Sequence, residues 1–220
     1  MIDPAYLRPA RYVESDAPEV VAFAMAAAGE TQDPTARAIK LYYAVRDQVL
    51  YDPYQIYSQR EVYSGRTALL RGRGYCVAKA ALLAACCRAT GIPARLGFAD
   101  VRNHLATPRL LEVNGGDVFF WHAYADLWLE GKFVKATPAF NLSLCERFGV
   151  LPLEFDGRTD SIFHPYDRQD RRHMEYVRYL DTYADVPVED IQATFRHHCP
   201  RLMEDWFSGG DFGAEAERSA

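Results

Sequence analysis

The chain has 220 residues, 49% of them hydrophobic and 13% aromatic, and a formal net charge of −5 at pH 7. That composition supports one sizeable core, and its mild acidity argues against general binding to nucleic acid or to a membrane surface. No segment is apolar for long enough to cross a bilayer, and the start has no signal-peptide stretch. Five cysteines, an odd number with Cys86 and Cys87 adjacent, do not read as a disulfide framework, so a reducing cytoplasm is the expected location.

In chain order, a first apolar helix is expected over residues 17–28, closed by Gly29. Asp33 and Pro34 then make a helix start, with Asp as N-cap and Pro at the first helical position. Ala38, Leu41, Tyr42, Val45 and Val49 follow with helical period, and the helix should stop near Asp52-Pro53. Residues 51–63 are tyrosine-rich and read as loop. A third helix opens at about Cys76 and ends at Gly91-Ile92-Pro93. Strands are expected over 95–101, 118–129 and 133–137, with a polar loop over 102–116 and a tight hairpin at Glu130-Gly131. Beyond Pro138 the pattern weakens: a helix is read over 171–180 and another over 188–199, broken by Pro200. Residues 208–220 read as a disordered tail. Helices, then the Cys helix, then antiparallel strands define an α+β fold, not a βαβ repeat. We expect one domain over 1–207, with its core at about 35–141 and an elaboration over 142–207.

The sharpest chemical signal is Gly72-Arg73-Gly74-Tyr75-Cys76 running into a helix of small residues. The glycines permit a sharp turn. Cys76 then meets unpaired N–H groups and the positive end of the helix dipole, with Arg66, Arg71 and Arg73 upstream. These features predict a lowered thiol pKa and a nucleophile. A buried structural cysteine would also suit the face Cys76, Ala80, Leu83, Cys87.

A nucleophile needs a base. Period-two alternation over the second strand puts Phe120, His122, Tyr124 and Asp126 on one face, and His122 is the candidate. A base in turn needs an orienter. Asp126 is about 13 Å along the strand, too far to reach the ring. If Glu130-Gly131 is a two-residue loop, Tyr124 opposes Thr137 and His122 opposes Ala139. Thr137 and Asn141 are then the same-face diagonals of His122, although Pro138 interrupts the pairing.

With Cys76, His122, the Arg-Ala-Thr-Gly-Ile-Pro-Ala-Arg95 entry to the first strand and Lys-Ala-Thr137-Pro138 on the third, the chain resembles the transglutaminase-like superfamily. The resemblance covers roughly residues 35–141. It implies a papain-like core, the Cys helix packed on an antiparallel sheet, and acyl transfer from an amide through Cys, His and a third residue. The third residue is usually an Asp before the proline; here it is Thr137. A neutral orienter costs a serine protease about 10⁴ in rate, yet papain-like cysteine proteases use Asn, so Thr137 or Asn141 could serve. The resemblance also implies an oxyanion hole made from the Cys76 N–H and an upstream side chain, for which Tyr51, Tyr54, Tyr57 and Tyr63 are candidates. The stretch from Ala136 to Tyr176 resembles a bacterial branch of the superfamily and adds no chemistry.

The expected function is therefore hydrolysis or transamidation of a peptide, protein or small carboxamide through Cys76 and His122, with no cofactor, metal, nucleic acid or membrane partner. The alternative is a non-catalytic module on the same fold that binds a peptide or small molecule. Other readings are weaker. His104 is a second candidate base. His164 and His173 with Glu154, Asp156 and Asp160 could hold a metal but lack helical ligand spacing. His197-His198-Cys199 reads as a cationic helix end. Cys86 and Cys87 read as core, Cys145 and Cys199 carry no assignment, and oligomeric state is not legible.

Overall fold

A computed structural model describes residues 2–104, 106–162, 174–204 and 212–219. Its helices are α1 (Pro18–Ala28), α2 (Pro34–Gln48), α3 (Gly65–Arg71), α4 (Cys76–Ala89), α5 (Pro108–Asn114), α6 (Leu142–Phe148), α7 (Val188–His198) and α8 (Phe212–Ser219). The strands are β1 (Leu50–Tyr51), β2 (Arg73–Gly74), β3 (Ala94–Asn103), β4 (Val118–Leu129), β5 (Lys132–Ala136) and β6 (Met174–Tyr183).

The residues of α4 are small or apolar on every side, so no face suits water and the helix belongs in the centre. Every residue from Cys76 to Arg88 is buried. Helices α1, α2 and α3 pack on it from one side, and β3 and β4 from the other. Small residues let backbones approach closely: a Cβ on Gly65 of α3 would lie 2.7 Å from the Leu82 nitrogen and 2.8 Å from its Cα. Two cations on α4 are buried with it. Lys79 donates to the Arg46 carbonyl at 2.9 Å. Arg88 reaches the carbonyls of Arg8, Ala94 and Ala184.

The main sheet has the order β5-β4-β3-β6 with every pairing antiparallel. The β4–β5 hairpin has the expected register, from Leu129↔Lys132 to Ala125↔Ala136. Glu130 and Gly131 both take positive φ, 49° and 86°, as a two-residue turn matching strand twist requires. A second, two-stranded sheet pairs β1 with β2 in parallel.

Three expectations give way. Residues 174–180, read as the body of a helix over 171–180, are strand β6; residues 171–173 lie outside the described residues. Tyr176, Val177, Tyr179, Thr182 and Tyr183 favour a strand, and pairing covers the otherwise open edge of β3. The loop over 102–116 contains α5, which Thr107 caps: its Oγ1 accepts the Leu110 N–H, and Pro108 follows. Helix α3 was not foreseen either; Ser64 caps it through the Thr67 N–H. In the tail read as disordered, 212–219 form α8, anchored by the buried ring of Phe212.

The expected face of β4 also needs correction. The β3–β4 ladder slips between Ala99↔His122 and Val101↔Phe119, and Trp121 takes φ 59° at this bulge. His122, Tyr124 and Asp126 keep their shared alternation opposite Ala99, Gly97 and Arg95, but Phe120 falls out of it.

Candidate active site

The turn before Cys76 is built by the short parallel pair. Gly72 closes α3 in the left-handed conformation, φ 64°. Leu50 N–H then donates to the Gly72 carbonyl and Asp52 N–H to the Gly74 carbonyl, at 2.9 and 3.0 Å. This pairing sets Tyr51 beside the first turn of α4. Tyr75 is the N-cap of α4 and Cys76 its first helical residue.

Cys76 and His122 line the same cavity, of about 70 Å³, together with Tyr51, Tyr57, Tyr75 and Phe212. The backbone N–H of Ala123, the neighbour of His122 on β4, lies close enough to the thiol to favour its charged form. The His122 ring meets the edge of Tyr176, with ring centroids 6.3 Å apart.

The electrostatics overturn one expectation. Burial pushes the Cys76 thiol up to about 11; the N–H groups of Ala123, Val77 and Cys76 itself pull it down without offsetting that. Burial also pushes His122 down to about 4. Both shifts favour a neutral thiol and a neutral imidazole over a thiolate. The upstream arginines do not reverse this: Arg66 pairs with Glu19 and Arg73 lies 3.7 Å from Asp52.

Neither orienter candidate is hydrogen-bonded to His122 here. Thr137 is buried just past the end of β5, and its Oγ1 has no partner among the described residues. Its N–H donates to the Ser161 carbonyl, and its own carbonyl accepts from the Tyr42 hydroxyl. Asn141 is committed elsewhere: its Oδ1 accepts the Tyr51 N–H at 2.9 Å and its Nδ2 donates to Ser143. Asp126 is held by Arg95 at 2.9 Å.

The tyrosines separate by their partners. The Tyr57 hydroxyl donates to the Pro53 carbonyl, Tyr63 to the Tyr57 carbonyl, and Tyr54 to Glu215. Tyr51 lines the cavity, and its N–H is the group that Asn141 holds. Tyr75, which sequence reasoning did not weigh, also lines the cavity. Its hydroxyl is buried and has no partner among the described residues. Its position next to Cys76 was the available signal.

The remaining readings resolve as follows. His104 sits 3.4 Å from Glu175 and is not among the residues that line the cavity. His164 and His173 lie outside the described residues, and among those described no group of three or more His, Cys, Asp or Glu could hold a metal. Glu154 pairs with Arg46, Asp160 with Lys135, and Asp156 accepts the Arg158 and Thr159 N–H groups. His197 and His198 end α7, with His198 stacked on Phe120 at 4.7 Å. All five cysteines are free and buried, and no described helix is long and apolar enough to cross a membrane.

A helix-borne Cys packed on an antiparallel sheet that carries a His defines a transglutaminase-like, papain-like α+β fold. The family model of the transglutaminase-like superfamily matches residues 21–138, and the chain belongs to that superfamily. No curated protein matches the chain. Among solved structures it is similar to a "putative cysteine protease" from Cytophaga hutchinsonii, with 18% identity and a TM-score of 0.47. The match covers 83% of this chain and 55% of that one, so the chain spans little more than half of that protein's length.

Proposed function

We propose that the chain is a thiol-dependent acyl-transfer enzyme acting on an amide of a peptide, a protein or a small carboxamide. The observation that carries this reading is the shared cavity: Cys76 and His122 line it together, with the thiol against the His122–Ala123 step of β4.

The neutral protonation states suit a general base mechanism. Neutral His122 takes the thiol proton as Sγ attacks the carbonyl carbon and the C–S bond forms. The Cys76 N–H and the Tyr51 hydroxyl are the candidate donors to the oxyanion. His122 then returns the proton to the leaving amine as the C–N bond breaks. Water or a second amine takes the acyl group from Cys76, and access to the cleft decides between hydrolysis and transamidation. Thr137, whose buried hydroxyl is uncommitted, is the proposed orienter of the imidazole. Asn141 acts at one remove by fixing the Tyr51 backbone. No cofactor enters the scheme, and the free thiols suit a reducing compartment.

A non-catalytic binding module is the second reading, favoured by the raised thiol pKa and by Thr137 where the family usually carries Asp. The test is turnover of an amide library by wild type, Cys76→Ser and His122→Ala. Loss of turnover in both variants with an unchanged melting transition supports the enzyme. A binder without turnover in the wild type, or an active double variant, sinks it.

A further inference from the structure

The cavity at Cys76 is chemically one-sided. Its described lining is mostly aromatic and aliphatic, with Asn103, Asn114 and His122 as its polar side chains besides the tyrosines and Cys76, and with no Asp, Glu, Lys or Arg among the described residues. Its volume of about 70 Å³ is about half that of a cavity of ~150 Å³ that takes up a benzene ring. One wall, Phe212, comes from α8, and its ring packs edge-on against Tyr51 and Tyr54, at 5.7 and 5.8 Å. That wall is pinned by Glu215, which pairs with Arg109 at 2.9 Å and accepts from the Tyr54 hydroxyl. Tyr75 also lines the cavity, while its hydroxyl is enclosed, without accessible surface and without a partner among the described residues.

Building on the acyl-transfer reading, we propose that this cavity is the acyl pocket. It takes a short, uncharged aliphatic acyl group, and Phe212 sets the upper size limit. A charged acyl chain would lose its hydration with no counter-ion in the described lining. An aromatic acyl group would need Phe212 to move.

The probe is a series of p-nitrophenyl esters, acetyl, butyryl, benzoyl and succinyl, with acylation of Cys76 read by intact mass. Sγ attacks the ester carbonyl, the C–S bond forms, the C–O bond breaks, and p-nitrophenolate leaves while the thiol proton passes to His122. One methylene in an apolar pocket is worth roughly 10–200-fold, so butyryl should exceed both benzoyl and succinyl by at least ~10-fold. Phe212→Ala should raise benzoyl toward butyryl. Equal acylation across the series, with His122 dependence intact, overturns the pocket and leaves the acyl-transfer reading standing. No His122-dependent acylation by any ester overturns the underlying reading instead. Binding of butyramide against succinamate to Cys76→Ala, read by saturation-transfer NMR, then judges the pocket without the chemistry. Preference for butyramide supports it, and equal or absent binding overturns it.

Discussion

The resting state of Cys76 can be read directly from the pH dependence of its alkylation. Burial moves the thiol from an ordinary value near 9 up to about 11. Two units correspond to about 3 kcal/mol against the thiolate and a ~100-fold smaller thiolate fraction at neutral pH. The alkylation rate with iodoacetamide, followed by peptide mapping so that Cys86, Cys87, Cys145 and Cys199 are read separately, should rise about tenfold per pH unit from 7 to beyond 10. His122 is not among the groups that shift the thiol. His122→Ala should therefore leave this profile in place while removing turnover, which separates a base from an ion-pair partner. A plateau reached by pH 7, or one displaced in His122→Ala, would mean a resting thiolate–imidazolium pair. The desolvation argument would then be wrong.

Three further outcomes follow from buried groups. His122 has its folded pKa lowered from 6.5 to about 4, so as pH falls the unfolded chain binds the proton first. The stability this protects is present above pH 6.5 and drains between 6.5 and 4, by about 2 kcal/mol at pH 5; denaturant titrations at pH 7.5 and 5 should show a smaller drop in His122→Phe, and an equal drop refutes it. Lys79 is lowered from 10.5 to about 7 by burial, so stability falls as pH drops from 10.5 toward 7, where the unfolded chain is protonated and the folded one is not. Lys79→Met should gain about 1–3 kcal/mol near neutral pH after the unsatisfied Arg46 carbonyl is counted, and a loss there would show that the ammonium is well paired. Gly65→Ala drives a Cβ to within 2.7 Å of the Leu82 backbone, which cannot rotate away; a loss of about 1–3 kcal/mol is expected, read as a lowered urea midpoint, and a neutral result would mean that α3 shifts freely.

What the sequence carried was whatever is local. Asp33-Pro34 marks the start of α2, and Asp33 does accept the Ala36 N–H. Glu130-Gly131 fixed the β4–β5 register because a two-residue turn leaves one solution. The placement of Cys76 at the start of α4 followed from the glycines before it. Non-local facts were hidden. Residues 174–183 become a strand because β3 is there to pair with. The bulge at Trp121 belongs to the ladder and not to β4 alone. The pKa values are the clearest case. Cys76 at a helix N-terminus predicts a low value, but its cavity is closed by Phe119, Asn114, Phe195 and Phe212, from four separate elements, and desolvation is a property of the closure. Asn141, diagonal to His122 by counting, is turned to Tyr51 because the ladder ends at Ala136 and the chain departs through Pro138.

The same closure bears on whether the pair can work. Moving the proton from a thiol at about 11 to an imidazole at about 4 spans seven units, or about 10 kcal/mol before the new charges attract. Two charges 4 Å apart at an effective dielectric of 20 recover about 4 kcal/mol. The remaining ~6 kcal/mol fits beneath the ~16 kcal/mol barrier of a reaction at ~10 s⁻¹, so turnover does not require a resting ion pair. Phe212→Ala should admit water and move both groups toward their ordinary values near 9 and 6.5, cutting the cost of transfer to about 3 kcal/mol. The substitution that widens the acyl pocket should therefore also lower the pH at which Cys76 alkylates, by up to about two units. If alkylation keeps its high pH dependence while benzoyl acylation improves, α8 shapes the pocket without setting its dielectric, and the rest of the lining keeps the pair buried.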